Sequence, residues 1–485
     1  MIGESKAGDE LAYALITPYS LHKSRTGGIV ARLLWADVAL VAARMFAPRP
    51  GSDFIRDYCD AVYDPEERQI PLKFQKLLIE YIVENFGTPN HRGISNRMML
   101  LVFRGPNAID DIHDAVGHIS QDVRGDNVRG TFGDYIHEDP TQGPCNERHK
   151  QRRDLLKHYP AIRNLEIPPR RNSFFEPGVL TGITPEMTEK HLKLFCRYAH
   201  TDGGFVLRAL DRVDEDDEKL ETSLVILKPE SFRHRNPLPG NLVDFFARTG
   251  MFITGTRLLR LSVEEARKFY EAKLPQFRRQ LAGMVKEKAR SVVKNARELA
   301  NHAVSECNAD PDTACEPARA LEMAQQAEHL HKGLEGYGPG EIKKTVADKV
   351  YEKLAGKLDS LEPDESVYDE VMEELRELNA RVEFNELIRY MTGRDPETDE
   401  PLSEDRDTVC MALLYSGNGA LGKIRRRLKE LRKVYGQNVL QNRAHASDPE
   451  EDPEKEMRVL GMPNIEGADE APCDVEQVVR EFYGD

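Results

Sequence analysis

The apolar positions of the chain fall into short runs with two different periods. Residues 11–17 (Leu-Ala-Tyr-Ala-Leu-Ile-Thr) form a continuous apolar run that stops at Pro18, the mark of a strand buried on both faces. After Gly27-Gly28, the segment Ile29-Val30-Ala31-Arg32-Leu33-Leu34-Trp35 gathers its apolar residues on one side of a helix, and 38–43 is a second run of strand length. The pattern is helical from Arg56 to Phe86, a strand over 98–103 is stopped by Gly105-Pro106, and 107–116 is helical again.

The same order then recurs. Residues 223–231 superpose on 12–20, with Pro229 on Pro18 and Ser231 on Ser20. Residues 240–246 repeat the glycine-led helix and 251–255 the second strand, while 411–417 match 99–105 and Ala420 falls on Ala108. From the growth of the offset between copies, the second copy carries roughly a hundred extra residues. They form an insertion over about 263–380 whose Ala, Glu, Lys, Leu and Arg content favours amphipathic helices, with a turn at 309–317. The first copy is interrupted at 138–173, which reads as a polar, solvated loop. The expected organisation is a first domain over 1–215, a second over 216–465, and a polar tail with one short helix over 466–485.

Composition narrows the function classes. The chain has 485 residues and a formal net charge of -15, so general affinity for nucleic acid or an anionic membrane is not expected. Cys59, Cys145, Cys196, Cys307, Cys315, Cys410 and Cys473 are scattered without CxxC spacing, which predicts thiols in a reducing compartment and no zinc site. No window approaches a membrane-spanning length and the N-terminus has no leader pattern, so a cytoplasmic protein is expected.

Candidate chemistry concentrates at Asn442-Arg443-Ala444-His445-Ala446-Ser447-Asp448. The acidic stretch 449–454 behind it reads as a helix first turn with Ser447 or Asp448 as N-cap. A neutral imidazole is a competent nucleophile near pH 7, a carboxylate on its other nitrogen fixes the tautomer, and nearby cations neutralise a transferring phosphoryl group. His113, His118 and Asp114 are too loosely spaced to predict a metal site.

With the copies aligned, the succession strand-Lys-Pro, glycine-led helix, strand, helix, strand-Gly, helix and N-x-x-H-x-S-D resembles the nucleoside diphosphate kinase family, as two domains in tandem. The resemblance covers about 11–48, 95–136 and 174–200 in the first copy and 221–262 and 380–460 in the second. It implies an α/β (α+β) protein with two ferredoxin-like βαββαβ domains built on antiparallel sheets, the second carrying the helical insertion. It also implies transfer of a γ-phosphate between nucleotides through a phosphohistidine. By this resemblance His445 is the nucleophile, Glu456 orients it, Ser447 supports it, and Lys228, Arg425, Arg432 and Asn442 bind the nucleotide. Mg2+ would come with ATP or another nucleoside triphosphate, held by the phosphates and by no protein ligand. Partners would be nucleoside di- and triphosphates and a second copy of the chain in a homo-oligomer; apart from the resemblance, the large helical insertion is itself expected to be a surface for a protein partner.

The first copy departs further from that family. Thr17 stands at the lysine position, His113 at that of Arg425 and Leu180 at that of the nucleophile, while Arg129 alone remains as a residual phosphate contact. An isobutyl group cannot accept phosphate, so this copy is expected to be inactive. In the second copy only six residues separate Arg425 from Arg432, so the family's intervening loop and its threonine are missing. Ala446 replaces a glycine, Lys433-Val434-Tyr435 replaces Gly-Asp-Phe, and Glu383 stands where the family stacks the base on an aromatic ring. The alternative expectation is therefore a catalytically degenerate nucleotide sensor or scaffold acting through its insertion.

Overall fold

The structure is a computed structural model that describes residues 8–49, 51–66, 70–86, 95–119, 125–137, 154–165, 172–201, 220–280, 294, 365–403, 408–436, 442–449, 452–462 and 474–484. These divide into two compact units, one formed by 1–261 with 407–485 and the other by 262–406. Both sequence copies contribute their sheets to the first unit.

The first copy runs β1 (Glu10–Ile16), α1 (Pro18–His22), α2 (Thr26–Leu33), β2 (Ala39–Phe46), α3 (Phe54–Val62), α4 (Leu72–Asn85), β3 (Met98–Gly105), α5 (Ala108–Val116) and α6 (Val128–Phe132). It continues with β4 (Asp134–His137), α7 (Pro160–Arg163), β5 (Asn172–Glu176), β6 (Val179–Leu180) and α8 (Pro185–Thr201). The second has β7 (Leu220–Leu227), α9 (Leu238–Ala247) and β8 (Phe252–Leu259). The other unit holds α10 (Val263–Tyr270), α11 (Leu274–Gln280) and α12 (Glu365–Thr392). The chain ends with β9 (Cys410–Asn418), α13 (Ala420–Tyr435), β10 (Ala444–Ala446), α14 (Pro453–Val459) and α15 (Asp474–Tyr483).

The protein is thus a mixed α/β molecule with two four-stranded antiparallel sheets, ordered β2-β3-β1-β6 and β8-β9-β7-β10. The copies match in register as well as in order. Glu10 pairs with Gly105 and Ile16 with Met99 as Glu221 pairs with Gly417 and Leu227 with Met411. An irregularity between Leu40 and Ala42 in β2 recurs between Ile253 and Gly255 in β8. In β1, Ala12, Ala14 and Ile16 enter one core while Leu11, Tyr13 and Leu15 enter another, which explains the unbroken apolar run.

The copies share a core. Ile29, Val30 and Leu33 of α2 belong to one apolar cluster with Leu242, Val243 and Phe246 of α9. The two helices approach so closely at Gly27 and Gly240 that a Cβ on either would strike backbone atoms of the other, so these glycines serve the crossing of the copies. Arg97 lies over the ring of Phe252 at 5.3 Å. The Asp474 carboxylate accepts from Ala43 N at 3.1 Å and Leu258 N at 3.2 Å, joining the outer strands β2 and β8 of the two sheets.

Three sequence expectations change. The helical span from Arg56 to Phe86 is two helices, α3 and α4, and the Gln75 amide in the first turn of α4 accepts from Asp64 N and donates to Ile70 O. Within the insertion expected to be solvated, Leu156, Tyr159 and Ile162 are buried in the core. In the stretch expected to be a polar tail, α15 buries Val475, Val478 and Val479 against the first copy.

In the second unit, Ser262 and Glu265 form a capping box that starts α10. Arg278 of α11 pairs with Glu377 of α12, and Arg389 holds Asp395 at 3.0 Å past the end of α12. Most of the insertion lies outside the described residues, as does the turn expected at 309–317. Among the described residues, no helix is long and apolar enough to cross a membrane.

Candidate active site

The site is assembled on the edge strand β10, antiparallel to β7 with His445 opposite Ile226. Ala444 and Ala446 face the core shared with α2 and α9, so strand alternation turns His445 to the other face. The chain enters β10 through Arg443 at φ 71°, a left-handed conformation that costs a residue with a Cβ about 1–2 kcal/mol. Its backbone groups hold it there: Arg443 N donates to Glu230 Oε1 at 2.8 Å, and Arg443 O accepts from Lys228 N at 2.9 Å. Asn442 O closes the preceding turn by accepting from Ala444 N. Beyond the strand, Ser447 N donates to Leu224 O at 3.0 Å and Ser447 Oγ accepts from Leu224 N at 3.3 Å. Ser447 therefore lengthens the strand pairing that supports His445.

Helix α14 brings the carboxylate. Its N-cap is Asp452, which accepts from Lys455 N, with Pro453 in the first turn. This corrects the expected helix start: Ser447 extends the sheet and Asp448 pairs with Arg425, so neither is the cap. One turn into α14, Glu456 faces His445, whose Nε2–H donates to Glu456 Oε1 at 3.0 Å. The pair is enclosed, with side chains 5% and 8% exposed.

Helix α13 supplies the cations. Arg425 and Arg432 are two turns apart and share a face. Arg425 donates to Ala446 O at 3.2 Å and forms an ion pair with Asp448, and Arg432 donates to Ala444 O at 3.2 Å. Both guanidinium groups thus reach the β10 backbone on either side of His445. In the first copy α5 and α6 are separate helices at this place, whereas α13 is continuous, so the shortened spacing is absorbed by fusing two helices. Lys228 is 4% exposed. Burial pushes its ammonium down to about 8; Glu230 opposes this and Arg432 reinforces it.

The sequence-predicted residues Lys228, Arg425, Arg432, His445, Ser447 and Glu456 therefore converge on β10, and Asn442 lies in the turn leading to it. Glu230 was missed, and Asp448 was expected only as the end of the motif and a candidate N-cap; the fold puts Glu230 against the Arg443 backbone and Asp448 against Arg425. The three carboxylates at the site are engaged, Glu456 with His445, Asp448 with Arg425 and Glu230 with the Arg443 backbone, and Lys228, Arg425 and Arg432 are cationic, which does not make a ligand set for a magnesium ion. Glu383 lies on α12 in the second unit.

The first copy has the same scaffold with different chemistry. Leu180 pairs with Leu15 where His445 pairs with Ile226, and Thr17 N donates to Gly178 O as Lys228 N does to Arg443 O. Arg129 donates to Val179 O at 3.2 Å, matching the Arg432 bond to Ala444 O, and to Gly117 O as well. Arg129, expected as a residual phosphate contact, is 5% exposed and ties backbone carbonyls together. His191 occupies the position of Glu456, with Nδ1 hydrogen-bonded to the Tyr13 hydroxyl at 2.6 Å; burial pushes its imidazole down to about 4. Glu176 is buried with Thr17, Tyr81 and Gly178 as donors, and desolvation still raises its carboxyl to about 7.

No protein-family model matches the chain, and no curated protein matches it.

Proposed function

We propose that the second copy is a nucleoside diphosphate kinase-like phosphotransferase domain of ferredoxin-like βαββαβ type that carries phosphate on His445. The observation that carries this reading is the enclosed His445–Glu456 hydrogen bond of 3.0 Å, bordered by two arginines that reach the same short strand. With Nε2–H held by Glu456, the lone pair of Nδ1 is the nucleophile. It attacks the γ-phosphorus of a nucleoside triphosphate, a P–N bond forms, and the bond from that phosphorus to the β–γ bridging oxygen breaks. The electron pair leaves with the nucleoside diphosphate. In the second half, a terminal oxygen of an acceptor diphosphate attacks the same phosphorus and restores the imidazole. Lys228, Arg425 and Arg432 neutralise the phosphoryl oxygens, Asn442 contacts the ribose, and magnesium arriving with the nucleotide adds charge neutralisation.

The test is incubation of the full chain with γ-labelled ATP. An acid-labile, base-stable label is expected on the wild type and none on His445→Ala; a label that survives the substitution refutes the assignment.

One observation favours a second reading, a degenerate nucleotide sensor or scaffold: the Arg425 charge is paired with Asp448, and α13 has no loop to close over a nucleotide. Saturable ATP binding with neither label nor turnover would select that reading.

A further inference from the structure

Both copies enter their edge strands β6 and β10 through a left-handed residue, and both give the N–H of that residue to a carboxylate. In the first copy the residue is Gly178 at φ 75°, whose N donates to Glu176 Oε1 at 2.9 Å. In the second it is Arg443 at φ 71°, whose N donates to Glu230 Oε1 at 2.8 Å. The carbonyls match as well, Gly178 O accepting from Thr17 N at 3.2 Å and Arg443 O from Lys228 N at 2.9 Å. The carboxylates come from different places. Glu176 precedes Gly178 by two residues, whereas Glu230 follows Lys228 by two, in the short turn Pro229–Ser231 beyond β7. Tyr19 takes the place of Glu230 in the first copy.

The surroundings of the carboxylate separate the copies. Glu176 is fully buried and accepts from the uncharged hydroxyls of Thr17 and Tyr81. Glu230 is half-buried and acts on a cation. Burial is the largest influence on the Lys228 ammonium and Arg432 acts with it, while Glu230 and, less strongly, Cys410 favour the charged form. Glycine adopts the left-handed turn freely and arginine does not, so the second copy depends more on the acceptor that holds its turn. A charged acceptor holds it more strongly than a neutral one. One side chain thus secures the entry to the strand of His445 and favours the charge of the neighbouring lysine.

We infer that Glu230 is a positioning residue of the second-copy site, holding the turn at Arg443 and the ammonium of Lys228 in one arrangement around His445. This role rests on the phosphotransfer proposed for His445.

The test compares Glu230→Gln and Glu230→Ala with wild type, each as the full chain. Glutamine keeps an oxygen for Arg443 N and loses the charge; alanine loses both. In the resting protein the Arg443 amide hydrogen should exchange about tenfold faster in Glu230→Ala and near the wild-type rate in Glu230→Gln. The Lys228 titration, followed by NMR of isotope-labelled lysine with Lys228→Gln to assign the signal, should move to lower pH by about one unit in both variants. At saturating γ-labelled ATP, Glu230→Ala should label His445 about tenfold more slowly. Glu230→Gln should restore the rate where Lys228 is charged, and its decline should begin at lower pH than in wild type. If the thermal melt of Glu230→Ala departs from wild type, Glu230→Gln decides through its two pH shifts. Unchanged exchange at Arg443 in a folded Glu230→Ala, or a Lys228 titration in Glu230→Gln that coincides with wild type, would overturn the role. A wild type that takes no label while both resting measurements come out as expected would refute the phosphotransfer and leave the hold of Glu230 on the turn and the lysine standing.

Discussion

Replacing Glu176 by glutamine should remove a specific pH dependence from the stability of the protein. Glu176 is fully buried and accepts from Thr17 Oγ1 at 2.7 Å, Tyr81 OH at 2.7 Å and Gly178 N at 2.9 Å. Desolvation is the largest influence on it and outweighs those three donors and Arg25, raising the carboxyl from 4.5 to about 7. A carboxyl raised on folding binds its proton more tightly in the native state. The stability it allows is complete below about pH 4.5 and is lost as pH rises through about 7. At 1.36 kcal/mol per pH unit, the loss amounts to about 3 kcal/mol above pH 8. In Glu176→Gln the amide oxygen keeps an acceptor for Thr17 and Gly178, and the Tyr81 hydroxyl can turn to accept from the amide. The substitution adds a roughly pH-independent cost of about 1 kcal/mol and removes the titration. Urea denaturation of both proteins from pH 4.5 to 8.5 measures it. The variant should gain about 3 kcal/mol relative to wild type across that range. Parallel stability curves would refute the reasoning, because they would mean the buried carboxyl takes up no proton in the folded state.

Label transfer to His445 should decline as pH rises through about 8, where Lys228 loses its charge, and Lys228→Gln should lower the rate and erase that limb of the profile. Asp448→Asn releases Arg425 from its ion pair and should tighten ATP binding in equilibrium dialysis; equal or weaker binding would mean the pair does not compete with phosphate. Asp474→Ala leaves Ala43 N and Leu258 N without their acceptor, at roughly 1–3 kcal/mol for each orphaned N–H, read as a drop in the urea midpoint. Gly240→Ala drives a Cβ into the backbone of Gly27 and Ala31 and should destabilise the protein, whereas Gly422→Ala, with open space around its Cβ, should not.

Much of the architecture was legible because it is local. An apolar run buried on both faces leaves its mark in consecutive residues, so β1, β3, β7 and β9 could be read from the chain, and two copies of one pattern could be aligned. The site was legible for the same reason. Arg425 and Arg432 are related by helical turns, and Glu456 follows His445 closely enough for one strand and one helix to bring them together. The break between α3 and α4 was marked in the sequence by Pro65 and Pro71, but the apolar periodicity on both sides outweighed that signal in the reading. The core role of Leu156, Tyr159 and Ile162 was hidden because a polar segment gives no sign of which few residues turn inward.

The amino-acid sequence by itself determined the strands, the duplication, the leucine that stands in one copy where the other has His445, and the spacing of His445, Glu456 and the two arginines. Only the tertiary structure decided that the copies share one core through Gly27 and Gly240, that Asp474 joins their outer strands, that Asp448 takes the charge of Arg425, and that His191 is buried against Tyr13. The physical reason is distance along the chain. Periodicity and capping act between near neighbours, whereas Asp474 meets Ala43 and Leu258 across hundreds of residues, and nothing in the residues around it distinguishes its carboxylate from others on the surface.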